Sequence, residues 1–296
     1  KSEDWRIACA PNHDHQDTKD YEVATQIWFD QVLQKRFETP STPKTELTLQ
    51  GAHGCPELRV SPDQSRKILG VEVFFSRDAA KNAPDRFWHY APAVERGSEW
   101  VASLHLHDLS KPLWVYANVR YQLDDPITGA GYDYGIYTTE SFVLFSRMSM
   151  ISPEELRKAG VQALLQPDGM IEDFVGDWQK EWFIYDNNPE NWRVSTRKLG
   201  DDLYAAPAGA KLAFSVRAEQ ANQLVLKLGD YSALVSVDGG NVWQDVLLDP
   251  QDFQTETGEP RSDWSALYSF QFTDVEQAWS GSAPEWRNLR WISGEN

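Results

Sequence analysis

The chain has 296 residues, 41% of them hydrophobic, with 45 acidic against 28 basic side chains and a formal net charge of −17. That is enough chain for two domains with cores of their own, and too apolar a composition for a disordered protein. No stretch approaches eighteen consecutive apolar residues, which excludes a membrane-spanning helix, and so acidic a chain without clustered Lys and Arg is a poor partner for nucleic acid or an anionic membrane surface.

At the N-terminus, Ile7 to Ala10 is a short apolar run that reads as a buried strand, followed by the loop Pro11-Asn12-His13-Asp14-His15. Asp20 to Phe37 then reads as an amphipathic helix. Tyr21, Ala24, Thr25, Trp28, Val32 and Leu33 recur at three- and four-residue spacing, and Asp17 or Thr18 supplies the N-cap.

Ala-Pro-Asn-x-Asp-His ahead of a helix with Trp28-Phe29-Asp30 and Leu33-Gln34-Lys35 resembles the C-terminal end of bacterial α/β-hydrolases, of the dienelactone-hydrolase-like and PhoPQ-activated pathogenicity-related types. The resemblance covers about the first forty residues. It implies a catalytic histidine at His15, with His13 at a variable position. The superfamily orders its triad Ser, Asp or Glu, then His, so the nucleophile and the rest of that enzyme are expected to lie outside this chain. Indeed no Gly-x-Ser-x-Gly occurs anywhere in the sequence, and His15 alone has no serine from which to take a proton.

Glu38 to Lys44, with Pro40 and Pro43, reads as a linker. Seven short runs follow: Glu46–Leu49, Glu57–Val60, Val71–Phe75, Arg86–Trp88, Trp100–His107, Leu113–Tyr121 and Ser141–Phe145. Their alternation and turn spacing predict an immunoglobulin- or fibronectin-like β-sandwich over 41–150. Ser152-Pro153-Glu154-Glu155 is a capping box with proline at the first helical position, which starts a connector helix within 151–168.

Residues 169–296 turn to strand patterns again, at Lys211–Arg217, Asn222–Lys227, Ser232–Val237, Tyr268–Phe272 and Asn288–Ile292. The phrases Trp243–Leu248 with Asp252-Phe253, Asp263–Leu267, and Ile171–Phe174 with Trp178 and Trp182 resemble jelly-roll carbohydrate-binding and galactose-binding-like modules. The fold class expected is therefore mainly β. It consists of two tandem sandwiches, fibronectin/Ig-like and then jelly-roll-like, preceded over 1–40 by a strand–loop–helix resembling the end of an α/β-hydrolase.

A sugar site needs aromatic faces beside hydrogen-bonding side chains. The candidates are Trp178, Trp182, Tyr185, Trp192 and Tyr204, with Asn187 among them and Asp186 and Asn188 alongside. Trp243, Trp264 and Trp291 are assigned to the core, while Trp279 and Trp286 flank a turn. In the loop from Asp124 to Gly135, Asp124, Asp125 and Asp133 could hold a structural calcium ion, and Tyr132, Tyr134 and Tyr137 could form a seam against a hydrolase domain. His105 and His107 share a face but lack a third ligand, and Cys9 and Cys55 have no metal spacing and read as separate thiols.

The functional expectation is a non-catalytic accessory region of a larger secreted or periplasmic hydrolase. Its partners would be a polysaccharide or oligosaccharide and an α/β-hydrolase catalytic domain, and no organic cofactor is called for. Thirteen tryptophans in an acidic chain, and a first residue that is Lys1, agree with a processed exported protein. The alternatives left open are an esterase using His15 with a nucleophile on another chain, and sandwiches that serve purely as docking domains.

Overall fold

The structure, a computed structural model, describes residues 9–13, 18–78, 86–131, 135–165, 168–183, 192–275 and 278–293. The fold is mainly β, built of antiparallel sheets, and the chain divides into two compact units, Lys1–Leu165 and Gln166–Asn296.

In the first unit the strands are β1 (Lys44–Thr48), β2 (Glu57–Ser61), β3 (Ile68–Ser76), β4 (His89–Arg96), β5 (Glu99–Ser103), β6 (Leu113–Gly131), β7 (Gly135–Phe145) and β8 (Ser149–Ile151). They run in the order β1-β2-β5-β4-β3-β6-β7, with β8 beside β6. β4 turns the corner. Its first half, to Pro92, pairs with β3 and its second half, from Ala93, pairs with β5. A strand that changes partners midway folds one path of strands into two faces. Leu58, Val60 and Ala102 from one face and Val71, Val73, Val115, Val119, Phe142 and Leu144 from the other fill a single core.

Two sequence expectations change here. The predicted strand at Arg86–Trp88 lies ahead of β4, and β6 and β7 run on as a long hairpin through the segment expected to be a loop. Ile127, Gly129 and Gly131 of β6 pair with Thr139, Tyr137 and Gly135 of β7 and carry that pairing outward.

α1 (Lys19–Phe29) is capped by Thr18, whose hydroxyl accepts from Tyr21 N, and continues into a π-helical turn, Asp30–Gln34, ended by Lys35 at φ 57°. The face it buries overlaps only in part with the one read from the sequence, of which Tyr21, Ala24 and Trp28 are half-buried. Val23 and Ile27, spaced i,i+4, enter the sandwich core, while Thr25, Phe29, Val32 and Leu33 are exposed. Polar anchors on neighbouring turns fix this rotation. Asp20 takes a two-pronged bond from Arg120 of β6 at 3.0 and 3.1 Å, and Tyr137 of β7 donates its phenol to Glu22. Burial, together with Glu22, pushes that phenol up to about 12.

The residues before α1 are clamped as well. Asn12 is buried at φ 61°, a left-handed geometry that Asn tolerates better than most residues. Its amide makes both bonds to one backbone unit: Nδ2 donates to Trp88 O at 2.9 Å, and Trp88 N donates to Oδ1 at 2.7 Å. Asn118 Nδ2 adds a bond to Cys9 O at 2.8 Å. The expected linker is likewise held down, since Pro40 and Pro43 are buried and Asp63 accepts from Ser41 N and its hydroxyl. α2 (Pro153–Lys158) has the predicted capping box, but it is no connector: Leu156 is fully buried in the first core.

The second unit holds β9 (Met170–Glu172), β10 (Val194–Thr196), β11 (Lys211–Arg217), β12 (Asn222–Leu228), β13 (Tyr231–Val237), β14 (Gln244–Leu248), β15 (Phe270–Asp274) and β16 (Glu285–Ile292). One sheet runs β9-β16-β11-β14 and the other β10-β15-β12-β13. Counted from β9, that is first, eighth, third, sixth against second, seventh, fourth, fifth, the double Greek key of a jelly roll. Leu212, Phe214, Val216, Leu289 and Trp291 of the first sheet meet Leu224, Leu226, Phe270 and Phe272 of the second. β9 and β10 are three residues each and had no readable alternation.

The Asn12 clamp gives a direct test. Asn12→Gly keeps the left-handed backbone and loses both bonds, whereas Asn12→Ala loses the bonds and adds strain. Stability measured by urea unfolding should fall by about 2 kcal/mol for Gly and by about 3 kcal/mol for Ala. Parent-like unfolding of both would remove the clamp.

Candidate functional site

Of the aromatic residues expected to bind sugar, Trp182 lies in the core of the second unit, and Trp178, Trp192 and Tyr204 are half-buried. Trp182 is buried and stacks on Phe272 at 5.9 Å, with 12° between the planes. It is a core residue because Glu172 accepts its indole N–H at 3.0 Å, which lets the whole side chain leave water. Trp178 is half-buried, edge-on to Phe174 and Trp182. Trp192 is half-buried against Trp279 at 4.6 Å and Trp286 at 5.9 Å. Tyr204 turns its ring towards Lys198. Tyr185 and Asn187, with Asp186 and Asn188, lie outside the described residues, as does His15.

Trp182 and Tyr204 surround a buried ionic cluster. Lys198, 4% exposed, places Nζ 2.6 Å from Glu172, 2.6 Å from Glu181 and 5.2 Å from the centre of the Tyr204 ring, and also donates to Ile171 O. Burial by itself would lower the lysine pKa. Glu181, Tyr204 and Glu172 outweigh it and hold the ammonium well above its ordinary value, while burial raises the Tyr204 phenol. A lysine held protonated is no nucleophile; this one ties β9, the Trp178–Glu181 turn and the segment after β10 together. Because its folded pKa is raised, its contribution is complete below about pH 10 and is lost only on raising the pH further. Lys198→Met strands two buried carboxylates and should cost about 3–5 kcal/mol in denaturant unfolding, equally at pH 6 and pH 8.

Trp192 and Trp279 close an edge of the same sandwich over a second pair. Arg193 grips Asp274 at 2.6 and 2.9 Å, and Trp279 N donates to Asp274 at 2.8 Å. Burial opposes ionisation of Asp274, but Arg193 and the Trp279 N–H prevail and hold its carboxyl below the usual range. The stability this supplies is therefore present above about pH 4 and fades as the pH falls through the lowered value. Asp274→Asn should cost about 1–3 kcal/mol at pH 7, with the gap to the parent closing towards pH 2 in thermal unfolding.

The surface feature of this unit is a groove of about 650 Å³, formed by the β10–β11 and β14–β15 connections and lined by 199–202, 205–210, 249–250 and 262–267. Short turns build its walls. Asp201 caps the Asp202–Tyr204 turn by accepting from Leu203 N, and Gly200 approaches Leu267 so closely that an added Cβ would stand 3.2 Å from its carbonyl oxygen. Asp263 accepts from Ser265 N and its hydroxyl, while Arg261 donates to the carbonyls of Asp263 and Ser265.

Trp264, assigned to the core from sequence, is half-exposed and lines the groove. Its indole N–H is fixed on Ala210 O at 2.7 Å, and its ring packs on Phe253 and on Trp291 at 5.0 Å. A rigid half-exposed ring beside Asp202, Asp249 and Asp263 offers an apolar surface next to hydrogen-bond acceptors. Asp249 is bonded to Lys211 at 2.8 Å. No His, Cys, Lys or Arg is among the lining residues, whose polar side chains are the hydroxyls of Ser262 and Ser265 and the carboxylates of Asp201, Asp202, Asp249 and Asp263. It is suited to binding a ligand rich in hydroxyl donors. The available signal was Ser262-Asp263-Trp264-Ser265, a tryptophan in a polar turn and not in an alternating strand.

The remaining candidates fall elsewhere. Asp124 pairs with Arg66 at 2.8 Å, Asp124 and Asp125 are exposed, and Asp133, Tyr132 and Tyr134 lie outside the described residues. Among the described residues no group of His, Cys, Asp and Glu could hold a metal ion. β5 stops at Ser103, so His105 and His107 follow it, and His107 Nδ1 lies 2.7 Å from Leu165 O. Cys9 and Cys55 are separate thiols. The chain matches no protein-family model and no curated protein.

Proposed function

We propose that this chain is a non-catalytic accessory region of a larger secreted hydrolase, and that its second unit binds carbohydrate. The observation that carries the reading is the Trp264 groove, where a fixed aromatic ring lies among carboxylate acceptors in a cleft of the size used for small-molecule ligands, about 300–1,000 Å³. A pyranose matches it by laying its C–H face on the indole and donating its hydroxyls to Asp202, Asp249 or Asp263. The acidic rim favours neutral sugars over uronates at this position.

The link to an enzyme is supported by the N-terminal segment, which resembles the end of an α/β-hydrolase. Its helix packs on the sandwich through Val23 and Ile27 and keeps Phe29, Val32 and Leu33 exposed. A helix with apolar residues on two sides suits a position between two bodies. In this reading the first unit carries the catalytic domain and the second unit holds the substrate polymer.

Screening the intact chain on a glycan array, followed by calorimetry, tests the groove. At least one neutral polysaccharide should bind, with Kd rising about tenfold or more in Trp264→Ala and in Asp202→Ala. Asp202 is exposed, so its variant should unfold at the parent temperature. Retention of no glycan, or parent-like affinity in both variants, would overturn the reading.

A further inference from the structure

A second surface on the same unit has the opposite charge. β16 pairs with β11 through a register shift: Ser215 faces Arg287 and Ala213 faces Arg290. Ser215 and Ala213 are two apart on β11 and so point to one side of the sheet. Arg287 and Arg290 are three apart, and strict alternation would send them to opposite sides. The extra residue is Asn288, at φ 57°, and this bulge turns both arginines outward while Trp286, Leu289 and Trp291 stay on the core side.

On this outer face Arg287 lies over the Trp243 ring at 4.2 Å, with Arg217 over the same ring at 4.9 Å. Arg287 and Arg290 are both exposed, and neither has a carboxylate partner among the described residues. Among the described residues, Arg217, Arg287 and Arg290 stand against two acids on this face, Glu285 and Asp245, which leaves the cations in excess. Glu285 bonds Arg217 at 2.6 Å, and Asp245 accepts from the Ser215 hydroxyl at 2.6 Å. Leu247 and Ile292 add exposed apolar patches to the same sheet face.

We infer that this face, centred on Trp243, Arg287 and Arg290, binds an acidic polysaccharide through the carboxylates of its uronic acid residues. A guanidinium presents a planar fork that matches a carboxylate bidentately, and the exposed Leu247 and Ile292 on the same face suit the C–H faces of the sugars. The chain's charge of −17 does not forbid this. At physiological ionic strength repulsion is screened beyond about 8 Å, so the contact is decided by the charges on the face itself. The carbohydrate nature of the ligand rests on the function proposed above, whereas its negative charge rests on the arginines alone.

Affinity electrophoresis and calorimetry of the intact chain, at about 150 mM salt, would use polygalacturonate oligomers, dextran sulfate of equal length and a neutral galactan. Polygalacturonate should bind, weaken about fivefold or more in Arg287→Ala and in Arg290→Ala, and be lost in the double variant. Arg287→Lys keeps the charge but loses the fork, and should weaken binding several-fold. Asp202→Ala and Trp264→Ala should bind polygalacturonate as the parent does. Three results would overturn the inference: no uronate binding, equal binding of dextran sulfate with an indifferent Arg287→Lys, or uronate binding that depends on Trp264 and not on the arginines. Loss of neutral-glycan binding alone would sink the groove and leave this surface standing.

Discussion

The Phe272 ring is the fixed point of the second unit. It lies between Trp182, with 12° between the planes, and Trp286, at 4.2 Å and 16°. Phe272 belongs to one sheet and Trp286 to the other, so a single stack sets how β16 registers across the sandwich. Once Trp286 is seated, Leu289 and Trp291 must also reach the core, and a regular strand cannot direct residues 286, 289 and 291 to one side. The Asn288 bulge resolves the conflict, and the outward arginine pair is its consequence. Trp291 then packs on Trp264 and donates to Tyr204 O at 2.8 Å, which ties the floor of the groove to the same strand. Both proposed surfaces thus depend on how one strand satisfies an aromatic core.

The Lys198 cluster shows why an aromatic-rich segment need not be a binding platform. Indoles carry one polar atom, and a buried acceptor for it removes the reason to remain at the surface. Glu172 serves Trp182 and Lys198 together, so the ammonium, two carboxylates and the indole satisfy one another. Replacing such a cluster by hydrocarbon need not reduce stability, but removing one member does. The arrangement is better viewed as a device that admits only one packing of β9, the Trp178–Glu181 turn and the segment after β10 than as a source of large net stabilisation.

Sheet class was legible in the sequence because alternation marks half-buried strands. β2, β3, β11, β12 and β13 each carry that mark, and the α2 capping box is written in four consecutive residues. β9 and β10 were not legible, since three residues are too few to show a period. The buried face of α1 was legible only in part, for a different reason. Apolar residues surround that helix, and the deciding contacts are Asp20 with Arg120 and Glu22 with Tyr137, about a hundred positions away in sequence. The burial of Trp182 and the exposure of Trp264 were not legible in the sequence. Composition distinguishes a tryptophan from a leucine, but whether an indole faces water depends on its N–H acceptor, and the acceptors of Trp182 and Trp264 are a glutamate and a backbone carbonyl set by the tertiary fold.

The same reasoning changes the meaning of the N-terminal motif. Here Asn12 turns its amide onto the backbone of Trp88, and Asn118 holds Cys9 O. Each bond joins the segment to the sandwich, and each would otherwise leave a buried backbone group unsatisfied. Residues 9–13 are thus held in place by the first unit's own strands and by the residues just ahead of β4.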